Sequence, residues 1–191
     1  MRLHGVMTIT TETHPQYIAG TWKLDPAHST VSFSVKHLMI SKVRGTFDIV
    51  DATIVTAENP ADSTIEATID LASVNTNLAD RDNHLRTGDF FKIDEFPTAT
   101  FRSHGLIANG DDFTLEGELT LRGVTKPITL KGEFGGVITD GYGQTKAAAS
   151  ATTKINRHDF GVSWNAALEA GGVTLGDDVT ISLDLQVVLQ K

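Results

Sequence analysis

Two short runs concentrate the side chains that could do chemistry. Arg81-Asp82-Asn83-His84-Leu85-Arg86 brings together two guanidiniums, a carboxylate and an imidazole, and Asn156-Arg157-His158-Asp159 repeats the mixture downstream. Each run offers a histidine with a neighbouring carboxylate, His84 with Asp82 or His158 with Asp159, the makings of a general acid–base pair. Each also offers an arginine fork of the kind that grips a phosphate or a quinone carbonyl. The plain alternatives are a solvated charged face for the first run and a pinned loop for the second. Nucleophilic chemistry has little foothold. There is no Gly-x-Ser-x-Gly elbow and no cysteine, and Ser29, Ser32 and Ser34 read as ordinary strand serines. The chain has 7 histidines but no His-x-His or His-Glu-x-x-His pattern. His28 and His37 flank one extended run, nine residues apart. They stand about 30 Å from each other at ~3.3 Å per strand residue, so they are expected to serve strand ends rather than a shared metal. No glycine-rich phosphate loop follows a strand.

The elements that must hold these residues are strands. Val31, Phe33, Val35 and His37 alternate with Ser32, Ser34 and Lys36, and Ile65 to Leu71, Phe113 to Leu121 and Val179 to Leu189 keep the same period of two. One apolar and one polar face suits an antiparallel sheet wetted on one side. Further strands are expected at Gly45–Val55, Thr98–Ile107, Lys126–Ile138 and Ala147–Ile155, with a bulge where the phase changes between Val50 and Ile54. Turns are expected at Glu58-Asn59-Pro60, Asn109-Gly110-Asp111, Asp140-Gly141 and Gly176-Asp177. Asn77 to Gly88 reads as a short helix with Asn77 as its N-cap and with Leu78 and Leu85 on one face. Eight or nine strands with short turns predict an all-β fold, a sandwich or a barrel, and the short helix with Phe90 and Phe91 would cover one end of a barrel. The stretch Arg157 to Gly172, with Phe160 and Trp164 among small residues, predicts a second covering flap. The small residues Ala67, Ala99, Gly117, Gly132, Ala147, Ala149 and Ala151 are expected on inward faces, where they favour a hollow over a filled interior.

Composition narrows the function classes. The chain has 191 residues, 40% of them hydrophobic and 21% charged, with 16 basic and 24 acidic residues for a net charge of −8. That size supports one domain with a full interior, here 20–191 behind a lead-in of 1–19. The acidic balance repels phosphate backbones and anionic lipid headgroups, which disfavours nucleic-acid binding and electrostatic docking on a membrane. No apolar stretch is long enough to span a bilayer, and the first residues lack the pattern of an export signal, so the expected location is the cytoplasm.

Four motifs in order resemble the YceI family. They are Asp25-Pro26-Ala27-His28-Ser29-Thr30-Val31-Ser32-Phe33-Ser34-Val35-Lys36-His37 with Gly45-Thr46-Phe47, then Arg81 to Arg86 with Asp89-Phe90-Phe91, then Leu119 to Pro127, and finally Asn156 to Gly161 with Gly176 to Val179. The resemblance implies an eight-stranded antiparallel lipocalin-like barrel, with one or two short helices closing an end, that binds a polyisoprenoid, an isoprenoid quinone or a prenyl pyrophosphate, in its apolar interior. It implies no resident cofactor beyond that ligand. By carry-over, Phe33, Val35 and Phe47 are lumen wall, Leu85, Phe90 and Phe91 are the closing segment, and Arg81, Arg86 and Arg157 meet a polar headgroup. His37, Phe101, Leu115, Leu119, Phe134, Leu183, Phe160 and Trp164 complete the expected ligand set.

Three functions stay open at this level. The first is non-enzymatic binding and carriage of the isoprenoid. The second is an enzyme using the same cavity, with His84 or His158 as acid–base. The third is a stress-linked interaction module with a filled barrel. Exposed strand edges or an apolar opening leave room for pairing of two copies and for transient contact with a membrane.

Overall fold

A strand whose every second residue is apolar buries one face, and a sheet of such strands must either pack on a second layer or curl closed. This chain closes. The computed structural model describes residues 16–168 and 172–191. Its strands are β1 (Gly20–Leu24), β2 (Thr30–His37), β3 (Ser41–Thr56), β4 (Thr64–Asn75), β5 (Thr98–Asn109), β6 (Asp112–Leu121), β7 (Val124–Thr139), β8 (Thr145–Asn156) and β9 (Leu175–Leu189), with one α-helix, α1 (Ala79–Arg86). All pairings are antiparallel, and β3 meets both β2 and β4, so β2 to β9 form a closed eight-stranded barrel. Closure removes the free edges through which two copies would otherwise pair.

β1 is not a ninth stave. It pairs with the same two neighbours as β2: Trp22 lies opposite Ile54 and Leu189, as Val31 lies opposite Phe47 and Leu183. β1 and β2 are one stave broken at Asp25-Pro26, where a proline removes a ladder donor and a 3-10 turn (Pro26–His28) intervenes. The Asp25 carboxylate holds the break: it accepts from the Ala27 N–H at 3.1 Å and the Gln186 side-chain amide at 3.1 Å, and pairs with His28 Nδ1 at 2.9 Å.

The predicted phase change in β3 is a bulge. Register slips between Ile49 and Asp51, and Val50 points outward, 63% exposed. Two local expectations change. Gly176-Asp177 lies within β9 instead of in a turn, at the slip between Val35 and His37. Asn77 does not cap α1. Its φ is 63°, and the cap residue is Leu78, which makes no side-chain cap bond and is 52% exposed. Of the predicted lead-in, residues 1–15 lie outside the described residues. Tyr17 is tied to the β3–β4 connection, its hydroxyl donating to the Ala57 carbonyl at 2.5 Å.

Candidate functional site

The inward faces enclose a cavity of about 590 Å³, within the range of small-molecule sites. Every strand from β2 to β9 contributes to its wall, and the wall is almost wholly hydrocarbon. In a filled core, side chains interdigitate at crystal-like density and lose nearly all accessible surface. Here Ile65, Ile69, Leu119, Ile181, Leu183 and Leu185 line the interior and still keep accessible surface, because no side chain comes across to meet them. The small residues do two jobs. Ala67, Ala99, Ala149 and Ala151 border the open volume. Gly117 instead receives an aromatic ring, since a Cβ there would stand 2.5 Å from the Phe101 ring, and Gly132 similarly sits beneath Phe113.

One end is covered, the end where β2, β4, β6 and β8 finish. α1, the residues after it and residues 157–168 and 172–175 lie across it, and the charged and imidazole lining of the cavity is found there: His37, Asp80, Arg81, His84 and Arg157, with Thr174. An aromatic relay joins cover to wall. His84 meets Phe90 at 5.0 Å and Trp164 at 4.8 Å, both edge-on, while Phe91 meets Phe47 at 5.6 Å and Phe47 meets Phe33 at 5.3 Å.

Arginines fasten the cover by donating to backbone carbonyls. Arg157 is 4% exposed and donates from Nε to Gly176 O (2.8 Å) and from Nη1 to Val162 O (3.0 Å) and Trp164 O (2.8 Å). Its Nη2 is buried with no partner among the described residues, and burial pulls the guanidinium below its ordinary range. Arg81 donates to Thr76 Oγ1 and Thr76 O, both at 2.8 Å. Thr76 in turn donates its N–H and hydroxyl to the buried Asp82 carboxylate at 2.9 and 2.6 Å, which anchors the start of α1. Arg122, on the β6–β7 turn, bridges the two halves of the cover by donating to Gly161 O (2.8 Å) and Gly88 O (2.9 Å). Sequence reading passed over Arg122 and Thr76; the only signal for Arg122 was its place in the Leu119 to Pro127 motif.

The structure brings fourteen of the expected ligand residues to the cavity: Phe33, Val35, His37, Phe47, Arg81, Leu85, Phe90, Phe91, Phe101, Leu115, Leu119, Arg157, Trp164 and Leu183. Three fall elsewhere. Arg86 is spent on α1's attachment, donating to Ala72 O, Val74 O and Asn83 Oδ1, and does not face the cavity. Phe160 is 1% exposed and packs beside Pro127 and Ile155 in a separate shallow cleft. Phe134 lies beyond the floor, its N–H on Asp111 O, and Phe113 is the ring that meets the cavity there. The anticipated acid–base pairs also do not form. Positions two apart on a helix point different ways. His84 therefore pairs with Asp89 at 2.8 Å and not with Asp82, and His158 pairs with Asp177 at 2.7 Å and not with Asp159.

The YceI-like domain family matches residues 22–187, which spans the whole barrel and both parts of its cover. The chain belongs to the YceI family. Among YceI relatives, a UPF0312 protein of Staphylococcus aureus (strain N315) is 42% identical over 158 residues, covering 81% of this chain and 90% of its own. A crystal structure of a Campylobacter jejuni YceI protein is 34% identical and superposes with a TM-score of 0.68, covering 82% of this chain and 90% of its own. A polyisoprenoid binding domain from Saccharophagus degradans, implicated in plant cell wall breakdown, shares the YceI barrel at TM-score 0.68 and 19% identity, covering 88% of this chain and 98% of its own. Among the described residues no helix is long and apolar enough to cross a membrane.

Proposed function

We propose that this YceI protein binds a polyisoprenoid, an isoprenoid quinone or a prenyl pyrophosphate, inside the barrel, as a carrier and not as an enzyme. The observation that carries the reading is the hydrocarbon-walled cavity of about 590 Å³ whose charged and imidazole side chains all lie at one end. At ~30 Å³ for each water-sized volume, that space takes a chain on the order of twenty carbons. Each methylene transferred from water contributes about 0.8 kcal/mol. The unpartnered Nη2 of Arg157 favours a ligand whose head carries an acceptor, a carbonyl or a phosphate oxygen, at the covered end. The Saccharophagus degradans neighbour is a polyisoprenoid binding domain, which supports the same chemistry. The carrier reading is favoured over catalysis because His84 and His158 each pair with an exposed carboxylate and neither is held against a nucleophile. Cytoplasmic residence is consistent with carriage but is not required by it.

The test is uptake. Native mass spectrometry of the purified protein, before and after addition of a medium-length isoprenoid quinone, is expected to show a one-to-one adduct. Leu183→Trp, which fills the middle of the wall, is expected to abolish the adduct and leave the circular dichroism of the barrel unchanged. A wild-type protein that takes up no quinone and no prenyl phosphate would falsify the proposal.

A further inference from the structure

The hairpin between β2 and β3 ends in Leu38-Met39-Ile40, and all three side chains face solvent: Ile40 is 87% exposed, Met39 62% and Leu38 38%. The backbone beneath them is costly as well. Leu38 and Met39 both take the left-handed region, with φ of 52° and 62°, in a tight turn closed by the Ile40 N–H on His37 O at 3.3 Å. Consecutive left-handed residues in a hairpin normally call for Asn-Gly, which avoids the Cβ clash that leucine and methionine incur. Strain and exposed apolar surface coincide at one tip, a combination found where a surface awaits a partner.

The charges behind the tip indicate which partner. Lys36 and Lys42 lie opposite each other in the β2–β3 register, with Arg44 opposite Ser34, all on the solvent side of the hairpin. None of the three cations has an ion pair among the described residues, although the chain as a whole carries −8. Of the two acids in the β9 bulge opposite Lys36, Asp177 is engaged by His158 at 2.7 Å and Asp178 is exposed, so three cations stand against one unengaged acid. At physiological salt, charges beyond ~8 Å are largely screened, so the local cations and not the distant net charge decide what approaches the tip.

We propose that this hairpin tip docks the barrel on an anionic lipid bilayer, with Leu38, Met39 and Ile40 entering the acyl boundary and Lys36, Lys42 and Arg44 meeting headgroup phosphates. The tip adjoins the polar end of the cavity: His37 and Thr174 line it, and Thr174 O accepts the Leu38 N–H at 2.8 Å. Docking therefore sets that end against the membrane. This deepens the proposed function by naming where a water-insoluble ligand is exchanged, and it rests on that reading for its purpose only. A second copy of the chain fits the tip less well. Three side chains offer far less than the ~800 Å² per partner of a standard interface, and two tips would meet lysine to lysine.

The experiment is co-sedimentation of the full chain with vesicles of phosphatidylcholine alone or containing phosphatidylglycerol, alongside uptake of isoprenoid quinone in vesicle-free buffer. Wild type is expected to bind the phosphatidylglycerol vesicles and to bind phosphatidylcholine far more weakly. Ile40→Glu is expected to weaken binding on the order of tenfold or more, from the loss of one buried aliphatic side chain. Lys42→Gln should weaken it about fivefold, the share of one interfacial cation. Both variants keep quinone uptake in vesicle-free buffer. Vesicle binding that survives while wild-type uptake fails would sink the cavity reading and leave docking standing. Docking is overturned if wild type ignores phosphatidylglycerol vesicles or if Ile40→Glu binds them as wild type does. It is also overturned if Ile40→Glu disperses a dimer that never bound vesicles.

Discussion

Along β4 the inward residues Ile65, Ala67, Ile69 and Leu71 follow at every second position, and the pleat alone delivers them to the cavity. Between Thr76 and Phe91 no such period exists, yet Arg81, His84, Leu85, Phe90 and Phe91 reach the same cavity. They are placed by side chains reaching for the backbone: Asp82 for Thr76, Arg86 for Ala72 and Val74, Arg122 for Gly88. The wall is held by apolar alternation and ladder bonds, the cover by guanidinium–carbonyl bonds. A hydrophobic carrier needs this division, because a wall that yields would lose the cavity and a cover that never yields would trap the ligand. The chain's 2 tryptophans report the two regions separately, Trp22 buried in the wall and Trp164 in the cover.

The largest break expected is in the cover. Arg157→Met removes the donor shared by Gly176, Val162 and Trp164 and leaves three carbonyls short of partners. Loss of a buried charged donor of this kind costs about 3–5 kcal/mol. In urea, the Trp164 signal of Arg157→Met should shift to lower midpoint well ahead of the Trp22 signal, each followed in the matching single-tryptophan variant. Arg157→Lys keeps the charge without the fork and should recover little. Coincident loss of both signals would show that wall and cover unfold as one body.

The same division explains what could be read in advance. Period-two patterning is a one-dimensional record of a face, so the barrel, the inward wall and the bulge at Val50 were all legible. The cover has no period to read. Arg86 and Arg157 look alike in sequence, flanked by histidine and acid, yet one staples a helix to β4 and the other also borders the cavity. The helix start misled for a related reason. Asn77 is a good capping residue by type, but its left-handed φ and the Asp82–Thr76 anchor put that work on residues whose partners lie across a turn. The Leu38-Met39-Ile40 tip was equally hidden, because it holds no glycine, asparagine or proline to mark a turn, and only its left-handed backbone turns three apolar side chains to solvent.

A wall substitution should do the reverse of Arg157→Met. Gly117→Ala places a methyl group 2.5 Å from the Phe101 ring and from the Arg102 carbonyl oxygen, so the ring must tilt toward the open volume and the β5–β6 ladder must part locally. Overpacking of this sort costs about 1–3 kcal/mol. The Trp22 midpoint should fall, and quinone capacity should fall with it as Phe101 takes up cavity space, while hydrogen exchange of residues 79–93 stays as in wild type. Faster exchange in that cover segment would mean that wall strain passes into the cover.

The smallest effect expected lies at the broken stave, where the wall borrows the cover's chemistry. Asp25 is held below its ordinary range chiefly by the hydrogen bond from His28, opposed by desolvation and aided to a lesser degree by the Ala27 N–H. A carboxyl group whose folded pKa is depressed stabilises fully above its unfolded value, ~3.9, and the contribution disappears as pH falls through the lower folded value. Asp25→Asn keeps an acceptor for Ala27 and discards the charge. The variant should be less stable than wild type at pH 6 by no more than about 1 kcal/mol, as befits a pair near the surface. Melting curves of the two proteins taken at successively lower pH should converge below the folded pKa of Asp25. If the gap instead stays constant into strong acid, it does not come from the carboxylate charge, and the Asn amide weakens the break between β1 and β2 through its geometry alone.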